Sequence, residues 1–167
     1  GGAVSGTFLS SSIPPRAERR YSLLAERLTD QGRRCGAFVS AGPLAAAFGL
    51  GQGFEVYDDQ GLEDSAGLAY AERRGTDTVA RALAWLRRLP SDASAFLWVH
   101  LFEPHAPHEL GGALGYDADV PLADGAVGML LDGLASAGRG DAAICLTASS
   151  TALISSFSSL SARIVGG

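Results

Sequence analysis

All three histidines of the chain, His100, His105 and His108, lie within "WVHLFEPHAPH", residues 98–108. Imidazole is the side chain best suited to moving a proton or holding a metal near neutral pH. Three readings follow. His100, at the end of an apolar run, reads as a strand-end residue whose ring satisfies nearby buried polar groups. His105 reads as a general acid or an anion-binding donor. Pro104 and Pro107 stiffen its loop, because each proline fixes its own φ and restricts the residue before it. The trio with Glu103 or Glu109 is a zinc alternative, although the spacing matches no familiar zinc signature. His108 beside Glu109 reads as solvent-exposed.

Such groups need elements to hold them. "YSLLAERLTDQG" predicts a helix, with Ser22 capping its first amides, Leu24 and Leu28 on one face and Gly32 as its stop. "CGAFVSA", residues 35–41, predicts a short strand. "GPLAAAFGLGQGFEVYDD" predicts a short helix and a glycine-punctuated loop, and the loop continues through "QGLEDSAGLAYAERRG". From Thr76 the spacing is helical, with Val79, Leu83, Leu86 and Leu89 on the apolar side. "SAFLWVHLF", residues 94–102, is nearly continuous apolar sequence, as expected of a strand buried on both faces of a parallel sheet. A second helix is predicted over 120–137. Pro121 stands near its start, Val127, Leu130, Leu131 and Leu134 point inward, and Gly138 ends it. "AAICLT", residues 142–147, predicts a further buried strand.

Helix and strand thus alternate, which predicts an α/β layered fold with a mainly parallel sheet. Functional groups of such sheets collect in the loops after the carboxyl ends of strands. His100 and His105 hold that position after "FLWV", as do Ala148, Ser149 and Ser150 after "AAICLT".

A chain of 167 residues fits one domain with a sizeable core. Hydrophobic residues make up 47% and mean hydropathy is +0.15, which argues for a globule over a disordered chain. The net charge of −5 supplies no basic field for nucleic acid or an anionic membrane. All 13 basic residues are arginine, a compositional bias. Cys35 and Cys145 are too far apart to define a disulfide framework, and both are expected to be buried as small hydrophobes. No apolar run reaches membrane-span length, and no signal peptide is expected. The opening Gly1-Gly2 suggests a piece of something longer.

The tail, residues 149–167, is serine-rich. Leu153, Phe157, Leu160 and Ile164 recur at helical spacing, so it reads as a closing helix or a low-complexity extension.

The segments "GAFVSAGPLAAAFGLGQGFEVYDD", "ERRGTDTVARALAWL", "FLWVHLFEPHAPH", "YDADVPLADGAVGMLLDGL" and "AAICLTA" run in an order that resembles bacterial sulfatases, members of the alkaline-phosphatase-like superfamily. The likeness covers most of residues 21–148. It implies a partial α/β sandwich domain over 1–148, and a chemistry of sulfuric ester hydrolysis that uses a divalent cation, usually calcium, and a formylglycine made from Cys or Ser in C/S-x-P-x-R. It assigns the active-site histidine of Pro-His-x-Pro to His105. His100 matches a position close to the pocket. Asp117, Asp119 and Asp124 match a stretch that reads as helix-start chemistry, where carboxylates are favourable. His108 replaces a common tyrosine.

Ser149, Ser150 and Thr151 stand where the family has Asp-His-Gly or Asp-Asn-Gly. Neutral hydroxyls are poor substitutes for a carboxylate at a hard cation. No aspartate pair follows an N-terminal strand. The expectation is therefore a degenerate sulfatase-like domain lacking both metal ligands and nucleophile motif, inactive by itself and with no cofactor of its own. The alternative is a non-catalytic binding or assembly module on the same scaffold. Expected partners are a sulfate-ester small molecule or glycan if active, no nucleic acid, no membrane, and self-association through exposed sheet edges.

Overall fold

The structure, a computed structural model, describes residues 22–62, 71–103 and 115–147, with side chains from residue 119 onward in the last stretch. Its described elements are α1 (Leu24–Asp30), β1 (Arg34–Phe38), β2 (Val56–Asp58), α2 (Gly75–Leu86), β3 (Ala95–Val99) and α3 (Gly115–Ser136), with two 3₁₀ turns between β1 and β2. The strands form one sheet in the order β2-β1-β3, parallel throughout. The α/β expectation is met.

Register assigns the two faces. Gly36 pairs with Val56 on one side and Leu97 on the other, and Phe38 pairs with Val99. These residues face α2: a Cβ on Gly36 would meet the Trp85 ring at 2.9 Å, and Phe38 packs on Trp85 at 5.9 Å between ring centroids. Ala82 and Leu86 complete that cluster, with Val56, Ala95, Leu97, Val99, Leu134 and Ala137 against it. A second cluster, Val79, Leu83 and Ala126, joins α2 to α3.

The opposite face carries Cys35 and Ala37, both fully buried, with Tyr57, Phe96 and Trp98 in register beside them. There α1 covers β1, and the Cys35 thiol lies 3.6 Å from the Ala25 carbonyl oxygen. Phe54 stacks between Phe96 and Trp98, at 5.9 and 6.0 Å. Offset stacking of this kind adds to area burial because the ring edges are positive and the faces negative.

Several local expectations need correction. The Ser22 cap is absent: the N-cap is Leu23, whose N–H donates to the Glu26 carboxylate at 2.9 Å. Leu24 is 61% exposed, and Ala25 is the buried residue of α1. Gly32 does end the helix, at φ +79°, a conformation that costs glycine little. Val56–Asp58, expected as loop, is a strand. The strand expected over 94–102 is confined to Ala95–Val99 and is half-buried rather than dry on both faces. Pro121 lies inside α3, seventh in a helix that begins at Gly115. The buried strand expected at 142–147 is not formed: those residues have no regular structure and are exposed. Cys145 is accordingly exposed, against expectation, while Cys35 is buried as expected. No helix among the described residues is long and apolar enough to cross a membrane. The serine-rich tail and the residues up to 21 lie outside the described residues.

Candidate functional site at the carboxyl edge of the sheet

All three strands are parallel, so their carboxyl ends open on one edge. β1 delivers Val39 and Ser40, β2 ends in Asp58, and β3 delivers His100. His100 is half-buried, and its backbone N–H donates to the Phe38 carbonyl at 2.9 Å, prolonging the β1–β3 ladder by one bond. Its strand-end position is thus as the sequence suggests. His105, His108, Glu109 and Ser149-Ser150-Thr151 lie outside the described residues. Asp119 is buried and Asp124 exposed on α3, while the Asp117 side chain lies outside the described residues.

The described part of this edge is organised by Arg73, which sequence reasoning missed. Its guanidinium donates to Asp58 Oδ1 at 2.7 Å, to the Val39 carbonyl at 2.6 Å, to the Asp58 carbonyl at 3.1 Å and to Thr78 Oγ1 at 3.0 Å. One planar fork thereby ties the ends of β1 and β2 to the first turn of α2, a task suited to arginine's rigid donor geometry. The backbone agrees, with the Arg73 N–H donating to the Ser40 carbonyl at 2.8 Å. Ser40 Oγ and Thr78 Oγ1, both fully buried, lie 2.6 Å apart. The second Asp58 oxygen accepts from Arg81 at 3.3 Å. Burial pushes the Asp58 carboxyl upward, but hydrogen bonds and charge from Arg73 and Arg81 outweigh it and hold the group below its ordinary value.

On the β3 side, Glu103 Oε1 accepts the Gly75 N–H at 2.7 Å, satisfying one of the free amides at the start of α2. Tyr57, next to Asp58 on β2, donates its hydroxyl to the Leu44 carbonyl at 2.6 Å. Burial, with the Asp59 charge adding to it, pushes its pKa up to about 12.

Calcium does not fit these described groups. Both Asp58 oxygens are held by guanidinium groups, one Asp59 oxygen accepts the Ala46 N–H at 2.7 Å, and Glu103 gives one oxygen to the helix start while the other is buried without a hydrogen-bond partner among the described residues. Among the described residues no cluster of three or more His, Cys, Asp or Glu side chains has metal-holding geometry. The arrangement braces a loop-bearing edge and presents His100 on it.

The sequence itself corrects one expectation. Ser12-Ile13-Pro14-Pro15-Arg16 spells S-x-P-x-R, so the letters of the nucleophile motif are in the chain, outside the described residues. The expectation of inactivity then rests on the cation ligands alone. A signal for β2 itself was present in outline, since the "EVYDD" run follows Phe54 with Val56 and Tyr57 on alternate sides. Read as a loop, it hid the strand that carries Asp58. No family model and no curated protein sequence matches this chain.

Proposed function

We propose that the chain is a sulfatase-like domain, related to sulfuric ester hydrolases and without turnover of its own. The observation that carries this reading is "WVHLFEPHAP", residues 98–107, running off the carboxyl end of a parallel strand. It is supported by the other sulfatase-like segments in family order. In this reading His105 contacts the sulfate or assists the leaving group, and His100 lies near it. The substrate class is a sulfate ester, as a small molecule or a glycan.

Sulfuryl transfer requires positive charge against the ester oxygens as well as a nucleophile. Without that positive charge, an imidazole supplies acid–base assistance of about 10²–10⁴-fold, far below the acceleration of a complete ester hydrolase. With Ser149-Ser150-Thr151 in place of the acidic ligand motif, the cation half of that chemistry has no visible carboxylate. The test is an aryl sulfate supplied to the purified chain with calcium. No turnover is expected. Hydrolysis that His105→Ala abolishes would overturn the inactivity and strengthen the kinship. Sulfate titrated into the wild type should shift the His105 ring resonances; failure of sulfate and of aryl sulfate to perturb any histidine would remove the kinship itself.

A further inference from the structure

Helix α2 begins without help from the residue that caps it. Its N-cap is Arg74, which makes no side-chain cap bond, and a guanidinium has no acceptor to offer a free amide. The acceptor comes instead from Glu103, at the exit of β3, whose Oε1 lies 2.7 Å from the Gly75 nitrogen. A carboxylate is favoured there because the start of a helix carries partial positive charge.

The fit around that bond is close. Gly75 is buried, and a Cβ on it would stand 3.0 Å from Glu103 Oε2, 3.1 Å from Leu101 Cδ2 and 3.3 Å from Ala126 Cβ. The bare backbone of Gly75 thus lets the β3 exit, α2 and α3 meet at one point. Leu101 packs against the cluster of Val79, Leu83 and Ala126, and the His100 N–H is bonded to the Phe38 carbonyl at 2.9 Å. Residues 100–103 are therefore held by a ladder bond, a packed leucine and a carboxylate in succession.

Stability alone does not account for this choice. Glu103 Oε2 is buried and has no hydrogen-bond partner among the described residues, and a buried polar atom left unpaired costs free energy. A serine or aspartate at position 74 would cap the helix start locally without that cost. What a local cap cannot do is hold the end of β3.

We propose that Glu103 is a positioning residue, whose carboxylate seats the exit of β3 on the first amide of α2 and so sets the direction in which the chain leaves the sheet. Pro104 follows in the sequence and restricts the backbone of Glu103. His105 comes next. The consequence for ligand binding rests on the sulfatase-like reading; the seating itself does not.

The test uses the full chain, isotope-labelled, with inorganic sulfate added at constant ionic strength. In the wild type the Gly75 amide should exchange slowly, and the amides of residues 101–103 should be as ordered as those of β3. Glu103→Ala removes the seat, and Gly75→Ala crowds it from the helix side. Each should speed exchange at position 75 and increase fast motion at 101–103, with the far-UV spectrum unchanged. Glu103→Gln keeps an acceptor for the Gly75 N–H and should restore both. Order at 101–103 that is unchanged in Glu103→Ala and Gly75→Ala overturns the proposal.

Sulfate separates position from charge. A carboxylate acting only through its charge repels the anion, so Glu103→Ala and Glu103→Gln would both bind sulfate more tightly. Seating predicts opposite signs. Glu103→Ala should bind roughly tenfold more weakly, the worth of one hydrogen bond no longer aimed, while Glu103→Gln binds at least as tightly as the wild type. Tighter binding by both variants overturns the proposal. A wild type that binds no sulfate removes the sulfatase-like reading, and the amide order then decides the seating by itself.

Discussion

At the scale of single residues the molecule turns on Arg73. Its side chain is 9% exposed and that of its partner Asp58 17%, so the pair is largely out of water and differs from the exposed Arg34–Glu55 pair. Exposed pairs contribute little because solvent screens them. Removing one member of a buried pair leaves an uncompensated charge. Arg73→Ala should therefore destabilise by about 3 kcal/mol in chemical denaturation, whereas Arg34→Ala should be close to neutral. The pH dependence follows from the lowered Asp58 value. The folded state binds its proton less readily than the unfolded chain, so this contribution is complete above the unfolded carboxyl value of about 3.9 and fades as pH falls through the folded one. An acid-side loss of stability that persists unchanged in Arg73→Gln would refute that assignment. Thr78→Val, which strands the Ser40 hydroxyl in a dry site, should cost about 1–3 kcal/mol. None of these roles was legible in the letters. An arginine in "AERRG" is an ordinary surface residue until β2 and α2 bring Asp58 and Thr78 to it. The position of His100, by contrast, followed directly from the apolar run before it.

Elements were legible in proportion to how strongly their own side chains pattern them. α2 was readable from Val79, Leu83 and Leu86, which are all buried, because a helix that buries a stripe must repeat its apolar residues. β2 escaped because three residues between glycine-rich turns carry little intrinsic preference, and the ladder with β1 decides the outcome. The α2–α3 contact shows a subtler limit. The expected inward residues of α3 were Val127, Leu130, Leu131 and Leu134, yet the closest approach is at Gly133, where a Cβ would lie 2.3 Å from Leu83 Cδ1. A residue without a side chain leaves no mark in apolar periodicity. Its role predicts a sign reversal. In an exposed helix Gly→Ala stabilises by up to about 1 kcal/mol, but Gly133→Ala should destabilise by roughly 1–3 kcal/mol through overpacking. Leu83→Ala makes room for the new methyl, so the double variant should lose clearly less stability than the two singles added together. Additive losses would show that the two helices do not meet there.

For the whole molecule, alternation of elements predicted a parallel sheet between helices, and that much is met: α1 lies over one face and α2 over the other. The fate of residues 142–147 was not legible, since a strand exists only when an edge receives it. The two faces carry one tryptophan each, Trp85 in the α2-side core and Trp98 among Phe54, Tyr57 and Phe96 on the other side. Each reports on a different layer, and β1 is common to both. Because the Arg73 fork joins the ends of β1 and β2 to α2, loss of the α2 layer also loosens the strands on which the other layer is built. The molecule should therefore unfold as one unit. In Trp98→Phe the fluorescence of Trp85 should change with the same midpoint as that variant's far-UV circular dichroism, and in Trp85→Phe the fluorescence of Trp98 should do the same. Comparing each variant only with itself removes the stability difference between them, which leaves coincidence as the test of two-state behaviour. Trp98 fluorescence melting ahead of the backbone signal would mean that the aromatic face and α1 form a separate, weaker layer, and that the bracing at the carboxyl edge does not reach across the sheet.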